Sequence, residues 1–114
     1  MIHVSLHAAD AALSDAITDA PGTFDQTVRG LDALHAVGLR LRLSYVFHRR
    51  NLAAFADLIE LAAARWPGAS VAVSFVAPST DLVPRTEALI PRYREVMPHL
   101  AAGIRIARER GVAL

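Results

Sequence analysis

Two sets of side chains in this 114-residue chain have the types that nucleophilic hydrolysis needs: Ser5, His7 and Asp10 near the start, and Ser44, His48 and Asp81 further on. A serine nucleophile requires a base to take its proton and an acid to orient that base. Neither serine lies in the Gly-x-Ser-x-Gly elbow that presents such a nucleophile, so these residues read as the polar ends of extended segments. Five histidines raise the question of a metal. His3 and His7 share one face of an extended segment, but four residues of strand set their Cα atoms about 13 Å apart, too far for one ion. No metal on protein side chains is expected, and His35 and His99 read as surface or boundary residues of helices. Arg40, Arg42, Arg49 and Arg50 cluster directly after residues 1–39, which hold Asp10, Asp15, Asp19, Asp25 and Asp32 against Arg29 alone. With little aromatic interleaving, these arginines suit an anionic substrate or a solvated surface better than a nucleic acid.

Absent residue types exclude further chemistry. There is no Lys, so no Schiff base and no P-loop lysine, and no Cys, so no thiolate metal site, no cysteine nucleophile and no iron–sulfur cluster held by this chain. The formal net charge of +1 gives no general drive toward nucleic acid or membrane. No run approaches the ~18 apolar residues of a membrane helix, and Met1 to Leu6 alternate instead of forming a signal peptide, so a cytoplasmic location is expected. Apolar residues make up 54% of the chain, which excludes disorder and exceeds what a small globule usually hides.

The elements that would position these side chains follow from periodicity. Extended apolar segments at Ile2 to Leu6, Leu41 to Phe47 and Val71 to Val76 each precede a helical stretch. A short helix is expected around Ala11 to Ile17. After the Pro21-Gly22 turn, Thr23 to Gln26 has capping-box spacing, and Phe24, Val28, Leu31 and Leu34 form the stripe of a second helix ended by Gly38. Asn51 is placed as the N-cap of a third helix carrying Leu52, Phe55, Ile59, Ala62 and Trp66. The loop Ala77 to Asp81 leads to a last element, expected to be kinked or split because Pro91 and Pro98 lack amide hydrogens. Phe24, Phe55, Trp66 and Phe75 are expected in the core.

Strands separated by helical crossovers are parallel, so the fold class is α/β with three consecutive parallel βα units. Such strands are normally apolar on both faces. Here Ile2, Val4 and Leu6 oppose His3, Ser5 and His7, and Leu41, Leu43, Tyr45 and Phe47 oppose Arg42, Ser44, Val46 and His48. Val71, Val73 and Phe75 against Ala72, Ser74 and Val76 repeat the pattern more weakly. One face is then sheathed by helices and the other meets water, a ligand or a partner, as in a slice of a (β/α) barrel with a ligand-filled lumen. Two open sheet edges call for completion by more chain, by a partner or by self-association.

Val4-Ser5-Leu6-His7-Ala8, Asp15-Ala16-Ile17-Thr18, Pro21-Gly22-Thr23-Phe24, Gly30-Leu31 and Leu34, then Ser74 to Pro78 and Glu95 to Pro98, follow one another in an order that resembles the second half of a radical S-adenosylmethionine (SAM) enzyme barrel. The resemblance implies the later strands of a six-stranded (β/α)6 partial TIM barrel. It implies SAM as a ligand, with Ser5, Ser44 and the backbone at Val76 and Ala77 against it, and with His7, Arg42, His48 and Arg49 facing substrate. The family's C-x3-C-x2-C loop, which holds a [4Fe–4S] cluster, has no counterpart here. The chain is therefore expected to be a cluster-less C-terminal part, a split half or a degenerate relative, inactive unless a complementary N-terminal half supplies the cluster. A non-catalytic α/β interaction or assembly module derived from such a domain is the other reading, with no nucleic acid and no membrane as partner.

Overall fold

The computed structural model describes residues 1–76 and 89–114. Its elements are β1 (Ile2–Ser5), α1 (Ala11–Thr18), α2 (Thr23–Ala36), β2 (Leu41–Phe47), α3 (Ala54–Arg65), β3 (Ser70–Phe75) and α4 (Tyr93–Arg110). The strands form one open parallel sheet in the order β1-β2-β3. Each strand follows the alternation of its residues. On one face Val28 and Leu31 of α2, Phe55, Leu58, Ile59 and Ala62 of α3, and Val96 and Ala107 of α4 join Leu41, Leu43, Tyr45, Phe47 and Val71 in a single core. Burying such side chains contributes roughly 1.5–3 kcal/mol each, which makes this face the main source of stability.

The register sets the other face in rows. His3, Arg42 and Ser70 are neighbours, then Ser5, Ser44 and Ala72, then Val46 and Ser74. Arg42, Ser44 and Val46 are half-buried while His3, Ser5 and Ser74 are exposed. Arg42 Nε donates to Ser70 Oγ at 3.2 Å. Beyond β3, Val71 N donates to Ala113 O at 2.8 Å and Ser70 pairs with Ala113 in one isolated parallel bridge, which ties the segment after α4 to the sheet.

Local details depart from expectation in three places. The N-cap of α2 is Gly22 at φ 83°, without a side-chain cap of its own. Thr23 turns its hydroxyl back to Ala20 O (2.7 Å), and the capping acceptor is Asp15, reached across the turn from α1. Asp15 accepts the N–H groups of Gly22 (2.8 Å) and Phe24 (3.0 Å). Of the two forms expected for the last element, kinked or split, it is not split: α4 is one helix with Pro98 inside it and Pro91 ahead of it. A single missing donor is offset there by the packing of Val96, Gly103 and Ala107. Phe75 is 40% exposed at the end of β3, stacked on Phe47 and edge-on to exposed Tyr93, so it borders the core instead of lying within it.

The Asp15 clamp has a measurable consequence. Hydrogen bonds from Phe24 and Gly22 hold its carboxyl below the usual carboxylate range. Its contribution is therefore present above that range and is lost as pH falls through the lowered folded value. Asp15→Ala is expected to lower the thermal midpoint by circular dichroism, with the gap to wild type closing in acid. Asp25→Ala, in the first turn of α2 without this role, should leave the midpoint nearly unchanged.

Candidate functional site

In open α/β sheets the C-terminal ends of parallel strands are where ligands meet the protein. Here those ends are tied together by Asn51, which is 1% exposed. Its Nδ2 donates to His7 O (3.1 Å) and Val46 O (2.9 Å), and its Oδ1 accepts His48 N–H (3.0 Å). The Tyr45 hydroxyl donates to Asn51 O. One carboxamide thus joins the loop after β1 to both sides of the end of β2. Asn51 is not the N-cap of α3: that position is Ala53, with no side-chain cap. The carboxamide is drawn inward because two strand-end carbonyls and one amide there have no ladder partner.

His7 and His48 flank this knot. His7 Nδ1 accepts Val46 N–H (3.3 Å), and His48 Nδ1 accepts Arg50 N–H (3.1 Å). A ring whose Nδ1 lone pair is so engaged carries its proton on Nε2 when neutral. Both imidazoles are therefore Nε2–H donors, with no lone pair left for a metal and none to serve as base for a serine. His48 is 7% exposed, and its Nε2 has no hydrogen-bond partner among the described residues. Burial lowers the pKa of His7; burial, then the nearby His7 and Arg50, lowers that of His48. Among the described residues no three His, Asp or Glu side chains come together as a metal site.

Because both histidines favour the neutral state when folded, their stabilisation is present above their ordinary pKa of 6.5 and is lost as pH falls through the lowered folded values. The thermal midpoint is expected to drop as pH falls from about 7 to about 5. A His7→Gln/His48→Gln variant should show a shallower drop, and an equally steep one would refute the assignment.

The residues singled out by sequence divide along the sheet. Ser5 and Ser44 are register partners at mid-sheet, with side chains on the same open face. His7, His48 and exposed Arg49 lie at the C-terminal end, where Arg49 N donates to Leu89 O (2.9 Å). Half-buried Val76 is beside them, its N–H on Phe47 O (3.1 Å). Arg42 is six residues upstream of His48, about 20 Å along the strand, and so belongs to the opposite end. Ala77, Asp81 and the loop between them lie outside the described residues.

The donor set decides which groups this chain could hold. Ser5 and Ser44 set two neutral hydroxyls side by side on the open face, able to donate and to accept hydrogen bonds. A [4Fe–4S] cluster does not fit, because the chain has no thiolate to ligate iron. Asn51 was missed as a site-forming residue, since an Asn ahead of an apolar helical stripe has the same appearance as a cap. Its only other signal was its place just after a strand.

No helix among the described residues is long and apolar enough to cross a membrane. No family model matches the chain, and no solved structure does. Over 58 residues, 51% of its length, the chain is 34% identical to the AdoMet-dependent heme synthase of Nitratidesulfovibrio vulgaris, and that stretch is 16% of the synthase.

Proposed function

We propose that this chain is part of a radical SAM partial barrel, its three βα units contributing the lumen residues that face SAM and substrate. The observation that carries this reading is the two-faced parallel sheet: helices gather on one side, and Ser5, Ser44, His7 and His48 occupy the other side and its C-terminal rim. The 58-residue similarity to an AdoMet-dependent enzyme supports it. In this reading Ser5, Ser44 and the backbone around Val76 and Ala77 contact SAM, while His7, His48 and Arg49 face substrate. Arg42 lies too far down the strand for the same ligand group and acts on the sheet's N-terminal side. Cluster chemistry and the reductive cleavage of SAM belong to a cysteine-bearing half.

The test is to purify this chain with a complementary half that carries C-x3-C-x2-C, reconstitute iron and sulfide, and assay 5′-deoxyadenosine. Product from the pair, reduced by Ser5→Val/Ser44→Val, is the expected result; no product from a well-folded pair defeats the proposal. The alternative, an assembly module, draws on the exposed apolar side chains Ile2, Phe75 and Tyr93 at the sheet margins. It requires self-association in light scattering and indifference to the cysteine-bearing half.

A further inference from the structure

The row of the open face nearest the N-terminal ends of the strands carries a charge that the rim does not use. β1, β2 and β3 contain no Asp or Glu, and Arg42 is their one guanidinium. Its half-buried side chain donates from Nε to Ser70 Oγ at 3.2 Å, which lays the guanidinium across the open face toward β3. Among the described residues this is its one hydrogen bond, and it is in no ion pair. Carboxylates elsewhere in the fold are spent: Asp32 on Arg65 and Trp66, Glu60 on Arg110, Glu109 on Arg105, and Asp15 on the start of α2. Arg42 therefore keeps four Nη–H donors and an uncompensated charge.

The neighbours add donors and no negative charge. His3 is the register partner of Arg42 on β1, and Ser70 is its partner on β3. Adjacent strands lie about 4.8 Å apart, so the three side chains span about 10 Å of one face. Because the Ser70 oxygen accepts from Nε, its own hydroxyl hydrogen is free to donate, and the exposed His3 ring supplies a further N–H. Such a set repels a cation. A neutral molecule would leave the guanidinium charge unpaired, whereas a group with two oxygens sharing negative charge meets both the charge and the fork of Nη hydrogens.

We propose that this row is a binding site for a small oxyanion, a carboxylate or phosphate group, held by the Arg42 Nη atoms between His3 and Ser70. Ser70 fixes the direction of the guanidinium. The site is about 20 Å along the strand from His48, so it stands whether or not the rim takes SAM.

The full chain, labelled with ¹⁵N-arginine and ¹⁵N-histidine, tests this by NMR with sodium phosphate and sodium acetate as probes, against sodium chloride at matched ionic strength. The Arg42 Nε–H resonance is expected to move saturably with phosphate or acetate, and the anion that saturates it at lower concentration identifies the group. His3 should move with it while His48 and Arg65 stay in place. Arg42→Gln should abolish the His3 response with an unchanged circular dichroism spectrum. Arg42→Lys, which keeps the charge and loses the fork, should weaken binding about tenfold, and it replaces Arg42→Gln if that variant does not fold. Ser70→Ala should weaken binding about fivefold, the worth of one hydrogen bond. Equal shifts with chloride, a His3 response that survives Arg42→Gln, or no saturation with either oxyanion would overturn the proposal. None of these results bears on 5′-deoxyadenosine formation.

Discussion

Asn51→Ala is expected to destabilise the protein by about 3–5 kcal/mol, which for a domain with ~5–15 kcal/mol in hand leaves a large unfolded fraction. Three partners lose their hydrogen bonds at once: the part-buried carbonyls of His7 and Val46 and the buried His48 N–H. Each group left without water or protein costs about 1–3 kcal/mol, and the upper end is not reached because the loop can relax toward solvent. Asn51→Asp separates the roles. It keeps the acceptor for His48 N–H but replaces a donor facing two carbonyls with negative oxygen, so it should be at least as damaging near neutral pH. Thermal melts of the three proteins check this, with expected losses on the order of 15 °C. A cap reading of Asn51 predicts instead a loss of about 1 kcal/mol and an aspartate that substitutes well. The two readings therefore differ in the sign of the aspartate effect as well as in size.

That contrast shows how far the chain could be read without coordinates. The helical stretches between extended segments were enough to foresee a parallel sheet, and the alternation of Leu41 to Phe47 against Arg42 to Val46 one covered and one polar face, because period-two burial is a local property of a strand. Gly38 ended α2 as foreseen, since its positive φ is a backbone requirement carried by one residue. What escaped was long-range. Asn51 reaches His7, 44 positions away, and Asp15 caps a helix from inside another. Neither contact leaves a periodic trace, and each residue type had a satisfactory local explanation. For the candidate site, the polar positions were legible but their grouping was not. His7, His48 and Arg49 gather at one end while Arg42 lies at the other, a division that register and strand ends alone determine.

Gly103 in α4 illustrates the same limit and carries the second large effect. In an exposed helix interior, Gly→Ala is stabilising by about 1 kcal/mol, and nothing in the helical pattern of Leu100, Ile104 and Ala107 argues against that gain. In the structure a Cβ at residue 103 would fall well inside van der Waals contact with Cδ1 and Cε1 of Phe55. The ring has nowhere to go: Phe55 is fully buried, 5.0 Å from the Tyr45 ring and 4.9 Å from the Phe47 ring, and it lies at the centre of the α3–α4 packing. Overpacking of this kind costs about 1–3 kcal/mol, and a clash with an immobile ring lies at the upper end, so Gly103→Ala is expected to be net destabilising by about 2 kcal/mol. Phe55→Leu removes the obstructing ring atoms and supplies the control. Alone it is destabilising by loss of aromatic volume; combined with Gly103→Ala it should cost at least about 1 kcal/mol less than the sum of the single changes. Chemical denaturation of the four proteins closes this cycle, and strict additivity would mean that α4 moves away from α3 instead of pressing on the ring. A destabilisation by Gly103→Ala that Phe55→Leu in part relieves would make close helix approach, rather than backbone freedom, the reason that position 103 is glycine.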